Sequence, residues 1–343
     1  MGRAEVNVEL KFSVMMAGTR PLRDYGELGQ LIEALGFDEL HIADDLIMRP
    51  AWPILTLIGV HTKRIRLGPA IVTPQVAHPV YHAAHLAALD EMTGGRALCG
   101  IGRGGFNTLL GVTQPVRPMC MLREALHLMQ HVLAGRREAV VGEFFCVTPD
   151  LYLQFAPVQA DLPIFIGSWG PRMAELAGEI ASGLKADCTA NPACLRTLVA
   201  RVHQGARAAG RDPATLAITV GPLCSIATER ARPRREMGRF LALYLPYLEP
   251  MTSAAGISAE EVAAVAQAVA CGDIDTAERL VPDAALRAFA ITGTADDAIV
   301  QIEALIAAGA THISFGPPLG PDPHAALKLI GERILPYFRN SGR

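Results

Sequence analysis

The distribution of apolar residues along this chain changes repeatedly between two patterns. Short apolar runs, typical of buried strands, are followed by stretches in which apolar side chains recur every three or four positions, as on one face of a helix. Residues 163–187 predict a strand at 163–166, a turn at 167–170, a helix from Pro171 to Gly183, and a second strand at 184–186. This segment is therefore one complete strand–helix–strand unit.

Units of this kind follow one another along most of the chain, with a period of roughly 35 residues. The predicted strands lie at residues 10–16, 37–43, 65–72, 96–101, 163–166, 184–186, 216–227 and 311–315. The predicted helices lie at residues 24–35, 52–61, 80–92, 118–133, 171–183, 192–209, 294–308 and 323–338. Because this alternation implies parallel strands with right-handed crossovers, and eight such strands favour closure, the pattern predicts an α/β fold of the (β/α)8 TIM-barrel type.

Two stretches depart from the repeat. Residues 140–160 alternate polar and apolar positions with turn residues between them, which predicts a hairpin. Residues 229–290 are rich in Ala, Glu, Leu and Arg, which predicts a helical insertion. We therefore expect residues 1–343 to form a single barrel domain with this insertion, although a chain of 343 residues could also form two domains.

Composition narrows the class of protein. Half of the residues are hydrophobic and 19% are charged, which is ordinary for a globular protein. The net charge of −3 and the lack of a basic run argue against a nucleic-acid partner. Seven cysteines without a C-x-x-C pair indicate reduced, buried thiols rather than disulfides or zinc. Because no apolar run could span a membrane and residues 1–12 lack an apolar signal core, we expect a cytoplasmic protein with no membrane partner.

In a barrel, the carboxyl ends of the strands carry the chemistry. The corresponding segments are Asp44-Asp45, residues 70–79, 102–107 and 167–171, Thr189 and residues 315–320. The turn at 167–171 is rich in glycine and precedes a helix, so its backbone N–H groups and the helix dipole predict a phosphate site. The alternative is a tight turn that needs glycine only for its backbone angles.

Two other motifs are less specific. The G-x-G-x-x-G pattern at residues 100–105 matches a dinucleotide-binding fingerprint, but it follows three strand–helix units and precedes no amphipathic helix, which argues against a Rossmann domain. His78, His82 and His85 share one helical face, but the carboxylate of an H-E-x-x-H motif is absent. We therefore predict no metal and interpret these histidines as partly buried helix residues, with His78 near the mouth of the site.

The pair Asp44-Asp45 closes the second predicted strand. One of these carboxylates could cap the following helix. Two adjacent carboxylates at the carboxyl end of a barrel strand are more typical of groups that face a ligand, and we favour this interpretation.

Several segments together resemble one known superfamily. TKRIRLGPAIVTPQVAHP, LDEMTGGRALCGIGRG and IFIGSWGPRMAELAGEIASG are similar to segments of the bacterial-luciferase-like flavin- and deazaflavin-dependent oxidoreductases. GIGRG and FGPPLGPD most resemble the branch that uses coenzyme F420, near methylenetetrahydromethanopterin reductase. The resemblance covers nearly the whole chain and implies a luciferase-like (β/α)8 barrel.

The resemblance also implies a cofactor site. In F420 members, a non-proline cis peptide bulges the third strand behind the deazaflavin ring, and the matching bond joins Ala70 and Ile71. The phosphate seat of the family falls on residues 167–170, in agreement with the glycine-rich turn. The expected cofactor contacts are Asp44, Ala70, Ile71, Val72, Thr73, Gly102, Arg103, Gly104, Asn107, Gly167, Ser168, Trp169, Gly170 and Thr189.

The sequence also departs from the family pattern. Sugar-phosphate dehydrogenases of the group carry His where Asp45 stands and an acidic residue about where Gly105 stands, which argues against a sugar-phosphate substrate. The glutamate that several members carry on the first strand is missing from FSVMM. We therefore predict Asp45 as the proton donor, with His41 or His78 as alternatives.

The resemblance implies an enzyme that transfers a hydride between coenzyme F420 and a small organic substrate. Because family members are often dimers, it also implies a homodimer. The first alternative is an FMN-dependent monooxygenase, which would use FMN supplied in reduced form by a separate reductase. The second is a non-catalytic barrel that binds the cofactor, because the family's carboxylates are missing.

Overall fold

The computed structural model describes residues 10–45, 48–105 and 107–340. The strands are β1 (Lys11–Met16), β2 (Glu39–Ile42), β3 (Arg66–Pro69), β4 (Cys99–Ile101), β5 (Val140–Val141), β6 (Cys146–Val147), β7 (Ile164–Gly167), β8 (Gly183–Asp187), β9 (Ala217–Gly221), β10 (Leu223–Ile226), β11 (Ala290–Gly293) and β12 (His312–Leu319). The helices are α1 (Asp24–Ala34), α2 (Ala51–His61), α3 (Pro79–Thr93), α4 (Pro118–Leu133), α5 (Pro171–Ile180), α6 (Pro192–Ala208), α7 (Ala231–Tyr244), α8 (Met251–Ala254), α9 (Ala259–Ala270), α10 (Ile274–Leu280), α11 (Asp283–Phe289), α12 (Ala295–Ala307), α13 (Pro323–Leu329) and α14 (Leu335–Asn340). Residues 1–9, which bear on the expected lack of a signal core, lie outside the described residues.

The order of the parallel strands confirms the predicted (β/α)8 class. Eight strands follow one another in the order β3-β2-β1-β12-β9-β8-β7-β4. Isolated bridges from Leu67 to Ala97 and from Val72 to Ile101 join β3 to β4, the two ends of this order, so the barrel is nearly closed. The predicted bounds of α1 to α4 agree with the structure to within one residue at each end.

The chain divides into two compact units. The N-terminal unit comprises Ser13–Lys185 and Leu198–Ala217, and the C-terminal unit comprises the remaining residues. In the N-terminal unit the strands lie side by side in the order β1, β2, β3, β4, β7 and β8. His41 on β2 lies opposite Gly68 on β3, and Gly167 on β7 lies opposite Lys185 on β8.

Helix α5 shows how the sequence forms the elements of the N-terminal unit. Pro171 occupies its first turn, where a missing N–H costs nothing, and apolar residues such as Met173 and Leu176 are buried at helical spacing. A Cβ atom on Gly178 would lie 2.0 Å from the carbonyl oxygen of Val202, so glycine permits the close approach of α5 and α6. The predicted hairpin at 140–160 is formed by β5 and β6, which pair over two residues each.

The C-terminal unit corrects three predictions. The predicted strand at 216–227 is two strands, β9 and β10, separated by Pro222, which has no N–H to donate to a ladder. The predicted helical region 229–290 contains α7 to α11, but its last residue begins β11, a four-residue strand that pairs with β10 and was missed. The predicted closing helix is interrupted by a π-helical turn at Ile330–Ile334. Among the described residues, no helix combines the length and apolarity needed to cross a membrane.

Candidate active site at the strand ends of the N-terminal unit

Ile71 lies at the centre of the candidate site. The predicted cis peptide between Ala70 and Ile71 is confirmed. A Cβ atom on Gly102 would lie 2.4 Å from Cδ1 of Ile71, and one on Gly167 would lie 2.4 Å from its Cγ2. A Cβ on Gly100 would lie 3.1 Å from the same Cγ2 atom. These three glycines therefore make room for the Ile71 side chain, which follows β3, and the ends of β3, β4 and β7 come together around it.

A hydrogen-bond network joins the loop after β3 to the loop after β4. The Thr73 hydroxyl donates to the Arg103 carbonyl oxygen at 3.1 Å. Asn107 Nδ2 donates to the same carbonyl oxygen at 2.7 Å and to Gln75 Oε1 at 2.9 Å. Asn107 is 1% exposed, and its Oδ1 atom accepts no hydrogen bond from the described residues; it lies beside Gly104. The predicted contacts Thr73, Arg103, Gly104 and Asn107 thus converge, and Gln75 is an addition that the sequence did not single out.

His82 also binds this network, although it was interpreted only as a helix residue. Its Nε2 atom lies 3.0 Å from the Thr73 carbonyl oxygen, and because a carbonyl only accepts, Nε2 carries the hydrogen. The Nδ1 atom is buried and has no partner among the described residues. Burial lowers the pKa of His82, while the Thr73 hydrogen bond and the charge of Asp44 act in the opposite direction.

The other two histidines of the 78–85 segment contact different residues. His78 caps α3, its Nδ1 atom accepts from the Val80 N–H at 3.3 Å, and its ring meets Phe145 edge-on. Partial burial lowers the pKa of His78. His85 stacks on Trp52 with ring centroids 5.0 Å apart. The three rings do not converge, and the described residues contain no cluster of His, Cys, Asp and Glu that could hold a metal ion.

The two carboxylates after β2 occupy different positions. Asp44 Oδ1 accepts the N–H of Ala51, the first residue of α2, at 2.9 Å, so the helix-capping alternative applies to Asp44. Burial, with a smaller contribution from the charge of Asp44, raises the pKa of the Cys99 thiol. Asp45 is half-buried, and its carbonyl oxygen accepts the Met48 N–H at 2.9 Å. Its role as the proton donor stays a prediction.

The turn after β7 is held by two hydrogen bonds. The Ser168 N–H donates to the Lys185 carbonyl oxygen at 3.0 Å, and the Gly170 N–H donates to the Ser168 hydroxyl at 3.0 Å. These two amides are therefore already engaged. Trp169 lies between them, half-buried, and Pro171 begins α5 directly afterwards. The N–H groups that an anion could still reach include those of the first turn of α5, which have no partner within the helix.

Two further predicted residues form hydrogen bonds outside these segments. His41 is buried within the N-terminal unit, where Nε2 lies 3.0 Å from Glu39 Oε2 and Nδ1 lies 3.1 Å from Lys185 Nζ. The sequence did not predict this arrangement, although charged residues inside apolar strands were a visible sign of it. Thr189 belongs to the C-terminal unit, where it is buried and its hydroxyl donates to the Asp187 carbonyl oxygen at 3.1 Å.

Comparison with known proteins shows the family to which this chain belongs. The family model of luciferase-like monooxygenases matches residues 7–312. The chain belongs to the luciferase-like monooxygenase family. Within this family it is 29% identical to the 5,10-methylenetetrahydromethanopterin reductase of Methanopyrus kandleri, over 96% of this chain and 99% of the relative. It is 30% identical to the reductase of the same name from Archaeoglobus fulgidus, over 90% of this chain and 94% of the relative.

A solved structure of the family has the same fold. The coenzyme F420-dependent tetrahydromethanopterin reductase from Methanopyrus kandleri superposes with a TM-score of 0.90 at 28% identity. The match covers 96% of this chain and 99% of that chain. The luciferase-like barrel inferred from the sequence motifs is therefore confirmed over nearly the full chain.

Proposed function

We propose that this protein is a coenzyme F420-dependent oxidoreductase that transfers a hydride between the deazaflavin and a small organic substrate. The similarity of nearly the whole chain to methylenetetrahydromethanopterin reductases carries the proposal, since the solved relative is described as coenzyme F420 dependent. Because these relatives are named for a methylene-bearing pterin, we propose that class as the first substrate to test.

The residues at the strand ends of the N-terminal unit fit such a cofactor. Ile71, supported by glycines, offers an apolar surface to a flat ring. The Asn107 Oδ1 atom, buried and without a protein donor among the described residues, would accept a hydrogen bond from a ring N–H or a ribityl hydroxyl. At the turn, the Ser168 hydroxyl and the first N–H groups of α5, such as that of Met173, would hold a phosphate.

The cofactor, when bound, supplies hydride chemistry at C5 of its deazaflavin ring, and the protein supplies binding, orientation and a proton. Asp45 is our proposed proton donor, because it is half-buried at the end of β2 and directly follows Asp44. His78 is a weaker candidate, since its Nδ1 atom already accepts from Val80 and burial lowers its pKa. His41 is engaged on both ring nitrogens inside the unit.

An anaerobic binding titration with F420 and, separately, with FMN tests the proposal. We expect saturable binding of F420 and, when the reduced deazaflavin is mixed with a methylene pterin, transfer of its hydride to the pterin's methylene group, which restores the visible absorption of oxidised F420. Binding of FMN alone, followed by oxygen uptake after reduction, would replace the proposal with the monooxygenase alternative. Binding of F420 without turnover across a panel of substrates would identify a non-catalytic cofactor-binding barrel.

We also propose that the protein is a homodimer that functions in the cytoplasm. Large apolar side chains are exposed before α4, at Leu109, Leu110 and Val116, and could be covered by a second copy. The seven cysteines are free thiols, which suits a reducing compartment. Sedimentation equilibrium of the wild type and of a Val116→Asp variant would test the dimer, which we expect the variant to weaken.

A further inference from the structure

Three titratable side chains form a hydrogen-bonded line in the interior of the N-terminal unit. His41 Nε2 lies 3.0 Å from Glu39 Oε2, and Lys185 Nζ lies 3.1 Å from His41 Nδ1. Each of the three residues is 3% exposed. In this unit β3, β4 and β7 lie between β2 and β8, so the line connects two strands that are not neighbours.

The chemistry of the three groups determines where the hydrogens lie. The Glu39 carboxylate can only accept, so His41 Nε2 carries the hydrogen and donates it. Nδ1 of His41 is then a lone pair, which accepts from the Lys185 ammonium. The imidazole stays neutral and connects a carboxylate to an ammonium, which together carry no net charge. This arrangement satisfies both ring nitrogens and makes a buried ion pair tolerable.

Each end of the line leads to a segment of the candidate site. The backbone carbonyl of Lys185 accepts the Ser168 N–H at 3.0 Å, and the Ser168 hydroxyl accepts the Gly170 N–H at 3.0 Å. The backbone of Lys185 therefore supplies one of the two hydrogen bonds that hold the turn. At the other end, Glu39 precedes Asp44 by five residues on the same chain segment.

We propose that Glu39, His41 and Lys185 are positioning residues whose line holds the turn at 167–170 in a fixed place relative to the end of β2. The proposal deepens the proposed function, because it concerns the segments to which we assign phosphate binding and proton donation. Loss of the line would let β8 shift at Lys185, and the turn would follow through the hydrogen bond to Ser168.

The chain provides a reporter for this turn that needs no cofactor. It contains two tryptophans, Trp52 on α2 and Trp169 within the turn. A Trp52→Phe background therefore leaves Trp169 as the sole indole. In this background we expect Lys185→Met to change the emission maximum of Trp169 and its quenching by acrylamide. We also expect the Kd for F420 to rise about tenfold, as for the loss of a hydrogen bond to a charged group.

Two further changes separate positioning from simple destabilisation. Glu39→Gln combined with Lys185→Met removes the carboxylate charge that Lys185→Met leaves behind, so thermal stability should recover while the Trp169 signal and the Kd stay altered. His41→Gln keeps a hydrogen-bond donor and an acceptor, so its Trp169 quenching and its Kd for F420 should resemble those of the wild type. His41→Leu keeps neither group, and both values should change.

Circular dichroism will show whether the His41→Leu variant is folded. If the folded variant has the same Trp169 quenching and the same F420 affinity as the wild type, the proposal is overturned. A return of both values to wild type in the Glu39→Gln/Lys185→Met variant would also overturn it. If the wild type itself failed to bind F420, the proposed function would fall, and Trp169 quenching would still decide whether the line positions the turn.

Discussion

A buried line of charged side chains in the N-terminal unit contrasts with an exposed ion pair in the C-terminal unit. In the N-terminal unit, Glu39, His41 and Lys185 are 3% exposed and bond to one another in the interior. In the C-terminal unit, Arg234 bonds to Asp283 at the surface, with side chains 54% and 63% exposed. Exposed pairs contribute about 0–1 kcal/mol to stability, whereas breaking a buried pair costs about 3–5 kcal/mol.

The contrast shows that the burial of a charged side chain, rather than the number of charges, determines how much it contributes to stability. The helices α7 to α12 of the C-terminal unit carry several surface ion pairs, and none of the site residues predicted from the sequence lies on these helices. The N-terminal unit instead carries Asp44 and Asp45, half-buried after β2, and the buried side chains of His82 and Asn107, which bond to the loops after β3 and β4. Substitutions of similar chemistry in the two units should therefore have very different effects.

The largest difference is expected for Asp45→Asn compared with Asp283→Asn. If Asp45 donates the proton, its loss should lower single-turnover hydride transfer by about 10²- to 10⁴-fold while F420 still binds. Asp283→Asn, a surface change in the other unit, should leave turnover unchanged. Asp44→Asn should weaken cofactor binding first. Near-normal turnover in Asp45→Asn would show that Asp45 is not the proton donor and would leave His78 as the candidate to test.

A second comparison concerns global stability. Lys185→Met should lower the free energy of unfolding by about 3–5 kcal/mol, because the buried Glu39 carboxylate loses its cation in the line. Arg234→Met should lower it by at most about 1 kcal/mol, because its pair is exposed to solvent. Urea denaturation of both variants and the wild type measures the difference. Equal losses in the two variants would contradict the contrast between the units.

A third prediction isolates the turn from the fold. Gly170 has an ordinary φ of −82°, and a Cβ there would meet only the Ser168 hydroxyl at 3.6 Å. Gly170→Val should therefore fold normally but crowd the anion site, and we expect the Kd for F420 to rise about tenfold. Gly170→Ala, which adds only the Cβ, is the matched control and should bind nearly as the wild type does. An unchanged Kd in Gly170→Val would remove the phosphate seat.

The smallest expected effect is the pH dependence of a surface pair in the C-terminal unit. The Arg230 guanidinium, followed by the Thr294 N–H, holds the pKa of Asp297 well below its usual range. A depressed pKa means that the contribution is present above the unfolded-state value, about 3.9, and is lost as the pH falls through the folded-state value. Because the Arg230 side chain is 77% exposed, solvent screening keeps this contribution small.

Asp297→Asn tests this dependence directly. The stability difference between the wild type and the variant should be constant from neutral pH to about pH 5 and should shrink as the pH falls below about 4. Thermal unfolding at a series of pH values measures it. A difference that stays constant down to pH 2 would show that the carboxylate charge of Asp297 is not what the pair contributes.

The sequence by itself was sufficient for the architecture. The alternation of strand and helix patterns is a local property, so it predicted the (β/α)8 class and the bounds of α1 to α4 closely. The strand-end rule then selected the loops around Asp44, Thr73 and Asn107, and the structure joins the last two through hydrogen bonds to the Arg103 carbonyl oxygen. The position of the cis peptide after Ala70 came from family resemblance and is confirmed.

Tertiary structure alone decided which side chains meet. Ile71 lies on Gly102 and Gly167, and Lys185 bonds to His41 across 144 positions of the chain. Strand periodicity tells which residues share a face, but it carries no information on which distant strand will face them. Strand β11 was missed because it follows α11 directly, at the end of a stretch whose Ala, Glu, Leu and Arg content favours helix. The buried line of Glu39, His41 and Lys185 therefore became visible only when the strands were placed side by side.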